Sequence, residues 1–421
     1  MTEGQGMTNE TIAVWWERPG LEILHGRLKI AGHDAEEVAR RVGTPTYAFD
    51  LTRIREQVEA LDTVLSRAGL THIVRLALKA CREPEVLRYV RGLSVPGSVG
   101  GVGIDACTPR EVRLAREFGW LPEEISLTGT NLTDADLREA LAETVHINVD
   151  LLSQLRRVGR LFPGRRIGLR VNPKVGAVRG GDVLYSGVAP TKFGIYEEDL
   201  GQALDIARAS ELTFATLHFH VGWAYREPEL PAFERAVERA AGMARRLREE
   251  GHPMEEVNVG GGLGVPYEDG EGPLDLERWA DILARHLGPL HVTTTVEPGE
   301  FLVKEAGVLL AQVVTVEERL GQMFVGLDVG WNAMQQQYVY DEPVILASCR
   351  TPGAEPTWRV TFAGNINEGD DLFATDYPFP PVEEGDIVAM LAVGAYNQAM
   401  ANEHTLRPRA NAVYFDQRIS P

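Results

Sequence analysis

The chain has 421 residues, which is long enough for two domains or for one barrel with an accessory domain. Its formal net charge of -19 disfavours nonspecific nucleic-acid binding, and no apolar run approaches the roughly 18 residues that a membrane span needs. The segment Met1–Gly6 has no signal-peptide pattern, and the three cysteines form no CxxC pair. We therefore expect a cytoplasmic protein that binds neither nucleic acid nor membrane and has no disulfide framework or metal site.

Strand-like apolar runs alternate with helical patterns through the centre of the chain. Helical patterns separate most of the strands, for example at 109–118, 133–143, 229–250 and 274–287. Eight such units over about 230 residues predict a (β/α)8 TIM barrel. A doubly wound sheet is the alternative, but no GxGxxG follows the first strand. The eight predicted strands are 73–79, 102–106, 124–129, 145–150, 166–171, 214–220, 255–261 and 291–297.

The pattern changes after about residue 305, where short strand-like runs follow one another with few helices between them. This predicts a C-terminal β domain. The stretch 21–30 is also strand-like, with a turn at His25-Gly26, and could pair with that domain. The predicted strand runs of the β domain are 308–310, 324–328, 343–346, 358–362 and 387–390. The predicted domains are 1–44 (N-terminal strands joining the β domain), 45–305 (the barrel) and 306–421 (the β domain).

Polar residues and glycines recur where the predicted barrel strands end, and active sites of such barrels lie at that end. Each has an ordinary structural explanation when taken alone. A strand-end lysine usually reaches solvent, a lone histidine is usually a satisfied structural residue, and a triple glycine is often a tight turn. Their shared position predicts one chemical face. The residues are Lys79, Asp105, Arg170, His220, Gly260, Gly261, Gly262 and Glu297.

The glycine run after the seventh strand suits a phosphate, because several backbone N–H groups can converge on an anion there. Lys79 could form a Schiff base with an aldehyde, and His220 offers a flat stacking ring. Glu297 could keep a pyridine nitrogen protonated. Together these features predict a site for pyridoxal 5'-phosphate (PLP).

Seven short motifs occur in a fixed order along the chain, at 76–80, 103–106, 191–194, 218–222, 259–262, 297–299 and 394–396. In this order the set resembles the fold-type III PLP-dependent decarboxylases, the diaminopimelate, ornithine and arginine decarboxylase group. It is most similar to the diaminopimelate branch. The resemblance implies an alanine racemase-like barrel with a C-terminal β domain, an amino-acid substrate and a head-to-tail homodimer with shared active sites.

The resemblance also implies roles for single residues. Lys79 would hold the cofactor covalently, His220 would stack on its ring, and Glu297 would pair with the pyridine nitrogen. Residues 365–371 of the partner subunit would complete each site, with Lys192 facing Asp371. Asp105 and Arg170 would lie near the cofactor, Asp328 near the substrate, and Gly260, Gly261, Gly262 and Tyr396 around the phosphate.

Three residues depart from the family pattern. Asn367 stands where a cysteine is thought to return a proton to the α-carbon, and asparagine has no acidic proton, so another residue or water would take that catalytic role. Glu300 replaces an arginine that binds phosphate or a distal substrate carboxylate, which disfavours diaminopimelate unless Glu300 turns outward to solvent. Trp223 replaces a phosphate-binding hydroxyl residue, and it either lines the pocket or packs in a loop.

These patterns predict a PLP-dependent carboxy-lyase that removes the α-carboxylate of an amino acid or amino-acid conjugate other than diaminopimelate. Glu368 matches a family glutamate that holds a distal amine, so a substrate with a distal cation is expected. Asn367 leaves a racemase, an epimerase or a decarboxylation-dependent transaminase open. The departures also leave a non-catalytic PLP-binding protein open, although the presence of Lys79 and Glu297 disfavours it.

Overall fold

The computed structural model describes residues 14–179 and 185–416, so the predicted lack of a signal in Met1–Gly6 lies outside the described residues. The chain divides into two compact units. The barrel unit comprises Ile54–Pro266 and Gly272–Lys304, and the β unit comprises Met1–Arg53, Tyr267–Glu271 and Glu305–Pro421. Among the described helices, none combines the length and the apolar character that crossing a membrane requires.

The strands and helices are numbered in chain order. The strands are β1 (Leu21–Leu24), β2 (Arg27–Ile30), β3 (His33–Asp34), β4 (Thr46–Asp50), β5 (His72–Ala77), β6 (Ser98–Ala106), β7 (Ile125–Leu127), β8 (His146–Val149), β9 (Arg166–Asn172), β10 (Ile195–Tyr196), β11 (Thr213–His218), β12 (Glu256–Asn258), β13 (Thr293–Val296), β14 (Gly307–Arg319), β15 (Gln322–Leu327), β16 (Ile345–Ser348), β17 (Trp358–Ala363), β18 (Leu372–Phe379), β19 (Ile387–Leu391) and β20 (Asn411–Phe415). The helices are α1 (Ala35–Val42), α2 (Leu51–Arg67), α3 (Pro84–Arg91), α4 (Pro109–Glu117), α5 (Asp134–Ala142), α6 (Leu152–Leu161), α7 (Leu200–Ala209), α8 (Leu230–Glu249), α9 (Leu276–Leu287), α10 (Glu300–Val303), α11 (Gln336–Tyr340) and α12 (Asn397–Met400).

Eight parallel strands close into a barrel in the order β5, β6, β7, β8, β9, β11, β12 and β13, and β13 pairs with β5 to complete the ring. All eight predicted strands are confirmed, as are the four predicted helices, which correspond to α4, α5, α8 and α9. The closed ring excludes the doubly wound alternative. Several predicted strands end earlier than expected, so Lys79 and His220 lie in the loops that follow β5 and β11.

Local sequence signals explain where the barrel helices begin. Thr108 precedes α4, and its hydroxyl accepts the Glu111 backbone N–H at 3.2 Å. Thr133 and Asp136 form a reciprocal capping box at the start of α5. Such caps satisfy backbone donors that the first helical turn leaves without partners.

Large polar side chains fill the barrel interior beside glycines. Arg75 on β5 is buried and donates to Glu256 on β12 at 2.7 Å. A Cβ atom at Gly103 would lie 2.5 Å from the Glu124 carbonyl oxygen and 3.1 Å from Cγ of Arg75, and one at Gly168 would lie 2.0 Å from Oδ1 of Asn148. These glycines therefore make room for the polar residues of neighbouring strands.

The β unit contains a sheet with the order β16, β19, β14, β15, β17 and β18, in which β4 pairs with β14 and β20 pairs with β4. N-terminal residues complete this unit as expected, but β4 is the strand that enters the sheet. The predicted hairpin at 21–30 forms as β1 and β2, with His25-Gly26 between them, and makes a separate sheet with β3. Leu21, Leu28 and Ile30 of this hairpin pack in one core with residues of β14, β16 and β19.

Candidate active site

The barrel brings the predicted cofactor residues together at the carboxyl ends of its strands. Arg170 on β9 is paired with His218 on β11, and His218 is paired with Asn258 on β12. Asp105, the second-last residue of β6, is paired with Ala77 on β5, and Lys79, two residues after Ala77, is exposed. The ammonium group of Lys79 acts electrostatically on Asp105, His218 and His220.

Glu297 lies at the centre of a buried hydrogen-bond network. Its Oε1 accepts from Ser126 Oγ at 2.7 Å and from Asn258 Nδ2 at 2.5 Å, and its Oε2 lies 3.2 Å from His218 Nε2. Burial by itself would raise the pKa of Glu297. The hydrogen bond from His218 and the positive charge that this ring carries when protonated in acid lower the pKa most. The charge of Arg75 and the hydrogen bond from Asn258 add to them, and together they outweigh burial and lower the pKa to about 2. Glu297 is therefore ionised at neutral pH.

His218 is a neutral donor in this network. Burial lowers the pKa of His218, although its bond to Glu297 opposes the shift. Because an ionised carboxylate only accepts hydrogen bonds, the proton of the neutral ring must lie on Nε2. Nδ1 has no hydrogen-bond partner within the described residues.

The pKa of Asp105 shifts in the opposite direction to that of Glu297. Burial raises the pKa of Asp105 well above its usual range, the negative charge of Glu297 adds to the rise, and Lys79 opposes it. The hydroxyl of Ser126 lies 3.4 Å from Asp105 Oδ1, so one serine connects the two carboxyl groups. The two connected carboxyl groups thus have pKa values shifted in opposite directions, a division typical of catalytic sites.

His220 is half-buried, and the ring of Tyr185 meets it edge-on at a centroid distance of 5.0 Å. Burial lowers the pKa of His220 well below its usual value, and the nearby cations Lys79 and Arg170 lower it further. The imidazole is therefore neutral, which suits a ring that stacks on a flat cofactor.

The glycines after β12 form a cradle that only glycine can build. Gly260 and Gly262 have φ values of +70° and +99°, and a Cβ atom at Gly261 would lie 2.2 Å from the Glu297 carbonyl oxygen. The Gly260 N–H donates to Asn258 Oδ1 at 2.9 Å. The N–H groups of Gly261 and Gly262 have no acceptor among the described residues, so they remain for a phosphate.

The close approach at Gly261 gives a direct test of the cradle. We expect Gly261→Ala to lower the free energy of unfolding of the apoprotein by about 1–3 kcal/mol and to weaken PLP binding, because backbone atoms must move to admit the methyl group. Urea unfolding and PLP titration measure both effects. Gly201→Ala is the matched control, since position 201 faces open space in α7 and alanine there is expected to raise stability slightly. If Gly261→Ala and Gly201→Ala had the same stability and the same PLP affinity, the assignment of Gly261 to the cradle would be contradicted.

Glu300 begins α10 and is buried, with its carboxylate 3.1 Å from the ammonium of Lys304. The alternative that Glu300 turns outward to solvent is therefore wrong. The i,i+4 spacing places the two charges on one face of the helical turn, where they neutralise each other. Trp223 is half-buried in the loop after β11, and its carbonyl accepts from the Arg179 backbone N–H at 3.4 Å.

Two candidate residues, Asn367 and Glu368, lie exposed on the loop between β17 and β18. Glu368 Oε1 lies 3.1 Å from His404 Nε2. Asp371 shapes this loop from inside the β unit, because its carboxylate accepts the backbone N–H groups of Trp331 and Ile366 at 2.8 and 2.7 Å. The predicted pairing of Lys192 with Asp371 of a partner subunit stays a prediction.

The other two candidates of the β unit lie on separate segments. The carboxylate of Asp328 accepts the backbone N–H of Gln312 at 2.8 Å, and burial raises its pKa. Tyr396 has a φ of 61° directly before α12, and its ring meets Tyr340 edge-on at 5.7 Å. Such a φ is strained for a tyrosine and marks a position fixed by its surroundings.

Sequence reasoning missed Ser126, His218, Asn258 and Arg75, which fix the charge of Glu297. A signal for two of them was present. His218 precedes His220 by two positions, and Asn258 precedes Gly260 by two positions. Since side chains alternate along a strand, residues two positions before a functional residue point to the same face.

Comparisons with known proteins identify the family. Residues 51–304 match the profile of the pyridoxal binding domain of pyridoxal-dependent decarboxylases. The chain is 35% identical over 408 residues to a diaminopimelate decarboxylase of Methanothermobacter thermautotrophicus, covering 93% of this chain and 91% of the relative. It is 30% identical over 397 residues to that of Escherichia coli K12, covering 89% of each.

A solved structure shows the same architecture. Diaminopimelate decarboxylase of Helicobacter pylori complexed with L-lysine superposes with a TM-score of 0.81 and 26% identity, over 90% of this chain and 94% of that one. The residues on the barrel face also fit PLP: the N–H groups of Gly261 and Gly262 have no acceptor within the described part of the chain, and Glu297 is ionised at neutral pH. The chain therefore belongs to the pyridoxal-dependent decarboxylase family of the diaminopimelate and ornithine type, amino-acid carboxy-lyases with PLP as their cofactor.

Proposed function

We propose that the chain removes the α-carboxylate of an amino acid or amino-acid conjugate other than diaminopimelate. The observation that carries this proposal is the buried ion pair of Glu300 and Lys304. Resemblance to the family leads one to expect an arginine at position 300 that attracts a distal carboxylate. Here the nearby ammonium of Lys304 is neutralised by Glu300, so the pair offers no net positive charge to such a group.

The proposed roles of the barrel residues follow from their charge states. PLP, when bound, supplies the electron sink for the bond to the departing carboxylate. Lys79 holds the cofactor, and the N–H groups of Gly261 and Gly262 bind its phosphate. His220 stacks on the ring, and Glu297 keeps the proton on the ring nitrogen because its pKa of about 2 leaves it ionised.

The source of the proton that replaces CO2 is a separate question, because Asn367 has no acidic proton to give. Racemisation or epimerisation of the amino acid is the competing outcome that this substitution favours. Incubation in deuterated water separates the two. Deuterium in the amine product together with CO2 indicates decarboxylation, whereas deuterium at Cα of recovered amino acid without CO2 indicates racemisation.

The proposal includes a cytoplasmic homodimer with shared active sites. The exposed positions of Asn367 and Glu368, on a loop shaped by Asp371, support a role in a neighbouring subunit. All three cysteines are free, which suits a reducing compartment. Sedimentation analysis of the full-length protein measures the assembly, and a monomer at micromolar concentration would contradict this part of the proposal.

A substrate panel tests the proposed specificity. The PLP-loaded protein is incubated with meso-diaminopimelate, lysine, ornithine, arginine, glutamate and N-acylated or carrier-bound amino acids, and CO2 and amine are measured by mass spectrometry. We expect another panel member to give the highest kcat/KM. The specificity proposal fails if meso-diaminopimelate is the best substrate, and the decarboxylase assignment is contradicted if no panel member releases CO2.

Reversing the Glu300–Lys304 pair gives a sharper test of the same idea. We expect Glu300→Arg/Lys304→Glu to raise kcat/KM for meso-diaminopimelate by about 10-fold or more, since a hydrogen bond to a charged group contributes about 1.5–3 kcal/mol. The single variant Glu300→Arg should lose stability instead, because it brings two cations together at a buried position.

The matched control reverses an exposed pair on α3, Glu85→Arg/Arg88→Glu, which should leave both stability and specificity unchanged. Steady-state kinetics and thermal unfolding measure these outcomes. A folded, PLP-loaded reversal variant with no gain on meso-diaminopimelate would show that position 300 does not govern the substrate's distal end.

A further inference from the structure

Asp150 directly follows β8, at the same end of the barrel as Lys79 and Glu297, and its side chain is 0% exposed. Neither carboxylate oxygen accepts a hydrogen bond of normal geometry from the described residues. The Thr130 hydroxyl and the Asp150 backbone N–H lie near enough to lower the carboxyl pKa, but less than the charge of Arg170 does. A buried carboxylate without hydrogen bonds is costly unless another charge compensates it. The position of the compensating charge therefore indicates what Asp150 does.

The strand register identifies that charge as Arg170. Val149 on β8 is paired with Leu169 on β9, so the next positions, Asp150 and Arg170, lie opposite each other. Arg170 is in turn paired with His218. Partners in neighbouring parallel strands point to the same face, and the side chain of His218 meets Glu297 inside the barrel. Asp150 and Arg170 therefore belong to the interior layer that carries the cofactor residues.

Arg170 is buried, and its guanidinium lies 4.5 Å from the centroid of the Phe193 ring. It makes no hydrogen bond or ion pair with any residue that the structure describes. Burial lowers the pKa of Arg170, and Asp150 is the strongest of the charges that oppose this shift. Conversely, burial raises the pKa of Asp150, and Arg170 is the strongest opposing charge. Each residue is thus the main counter-charge of the other without a direct bond between them.

We propose that Asp150 is a positioning residue, which stabilises the charge of Arg170 through space and leaves the N–H donors of Arg170 for an oxyanion of the bound cofactor or substrate. A direct bidentate pair would occupy those donors. Asp150 stabilises the charge of Arg170 without occupying those donors, because Coulomb attraction is strong at short range in a poorly solvated interior.

A double-mutant cycle on PLP binding tests this role in the full-length apoprotein. Asp150→Asn keeps the shape of the side chain and removes its charge, so we expect PLP affinity to fall about 10-fold. In the Arg170→Gln background the same substitution should change affinity by less than about twofold, because the charge on which it acts is gone. Asp134→Asn, at an exposed ion pair of α5, is the control and should leave PLP affinity unchanged in both backgrounds.

Equal effects of Asp150→Asn in both backgrounds would overturn the proposal, as would unchanged PLP affinity in the single variant. A purely structural role would lower stability without this dependence on Arg170. Absorbance titration with PLP supplies the affinities, so the test does not depend on knowing the substrate.

The pH dependence of stability gives a second measurement should Asp150→Asn fail to fold. In Arg170→Gln, Asp150 loses its strongest opposing cation, and Lys192 still acts on it more weakly. A carboxyl whose folded-state pKa is raised destabilises the fold as the pH rises through that pKa. As the pH rises above the ordinary pKa of an aspartate carboxyl, 3.8, the apoprotein with Arg170→Gln should therefore lose stability more steeply than the unmodified protein. If the stability of Arg170→Gln and that of the unmodified protein changed equally with pH, the proposal would be overturned.

Discussion

Lys79→Ala is expected to abolish covalent attachment of PLP and to lower the decarboxylation rate by about 10³-fold or more, since the variant lacks the amine that we propose binds the cofactor's aldehyde. Lys79 is the predicted anchor because its side chain is exposed at the barrel end that carries Asp105, His220 and Glu297. Its ammonium also acts on Asp105 and His220, which places it among the groups that would surround the ring.

Reduction of the PLP-loaded protein with borohydride, followed by peptide mass mapping, measures the attachment. The label should lie on Lys79 in the unmodified protein and be absent in the variant. Lys174→Ala removes a lysine whose ion pair with Glu198 lies at the surface of the same unit, and it should retain full labelling. Labelling at another lysine in the unmodified protein would overturn the assignment of Lys79 and, with it, the proposed arrangement of the ring.

The barrel could be predicted from sequence because each of its strands is a short apolar run bounded by turn residues and followed by a helical pattern. The sheet of the β unit was harder to predict. β18 contains Thr375, Asp376 and Pro378 and is partly exposed, so it lacks a clear apolar pattern. β20 pairs with β4 across most of the length of the chain, and no local signal identifies such a partner.

The residues of the candidate site could be predicted by position, but their charge states could not. Glu297 is ionised because Ser126, His218 and Asn258 come from three other strands, and only the strand register brings them together. The family pattern alone does not determine whether Glu300 points inward or to solvent, although Lys304 four residues later indicates an ion pair. The proposed role of Asp150 is hidden in the sequence for the same reason as that of Ser126. Its counter-charge, Arg170, lies on a neighbouring strand.

Glu297→Gln is expected to lower kcat by about 10²–10³-fold while the protein still folds and binds PLP, because the substitution removes the charge that we propose keeps the ring nitrogen protonated. The network can accept the amide. Its oxygen can replace Oε1 as the acceptor for Ser126 and Asn258, and its NH2 group would then face His218 Nε2. Because Nδ1 of His218 has no partner among the described residues, the ring proton can move there and leave Nε2 as an acceptor.

The stability of the unmodified protein and that of Glu297→Gln should also depend differently on pH in the acid range. The pKa of Glu297 in the folded protein is about 2, below its ordinary value of 4.5. A lowered pKa contributes stability that is present above the unfolded-state pKa and is lost as the pH falls through the folded-state pKa. The unmodified protein should therefore lose stability between about pH 4.5 and about pH 2, and Glu297→Gln should lack this component of the loss. Glu277→Gln, at an exposed ion pair of α9, is the control. If kcat of Glu297→Gln stays within about twofold and its acid profile matches the unmodified protein, then the buried anion is not the group that sets the protonation of the ring.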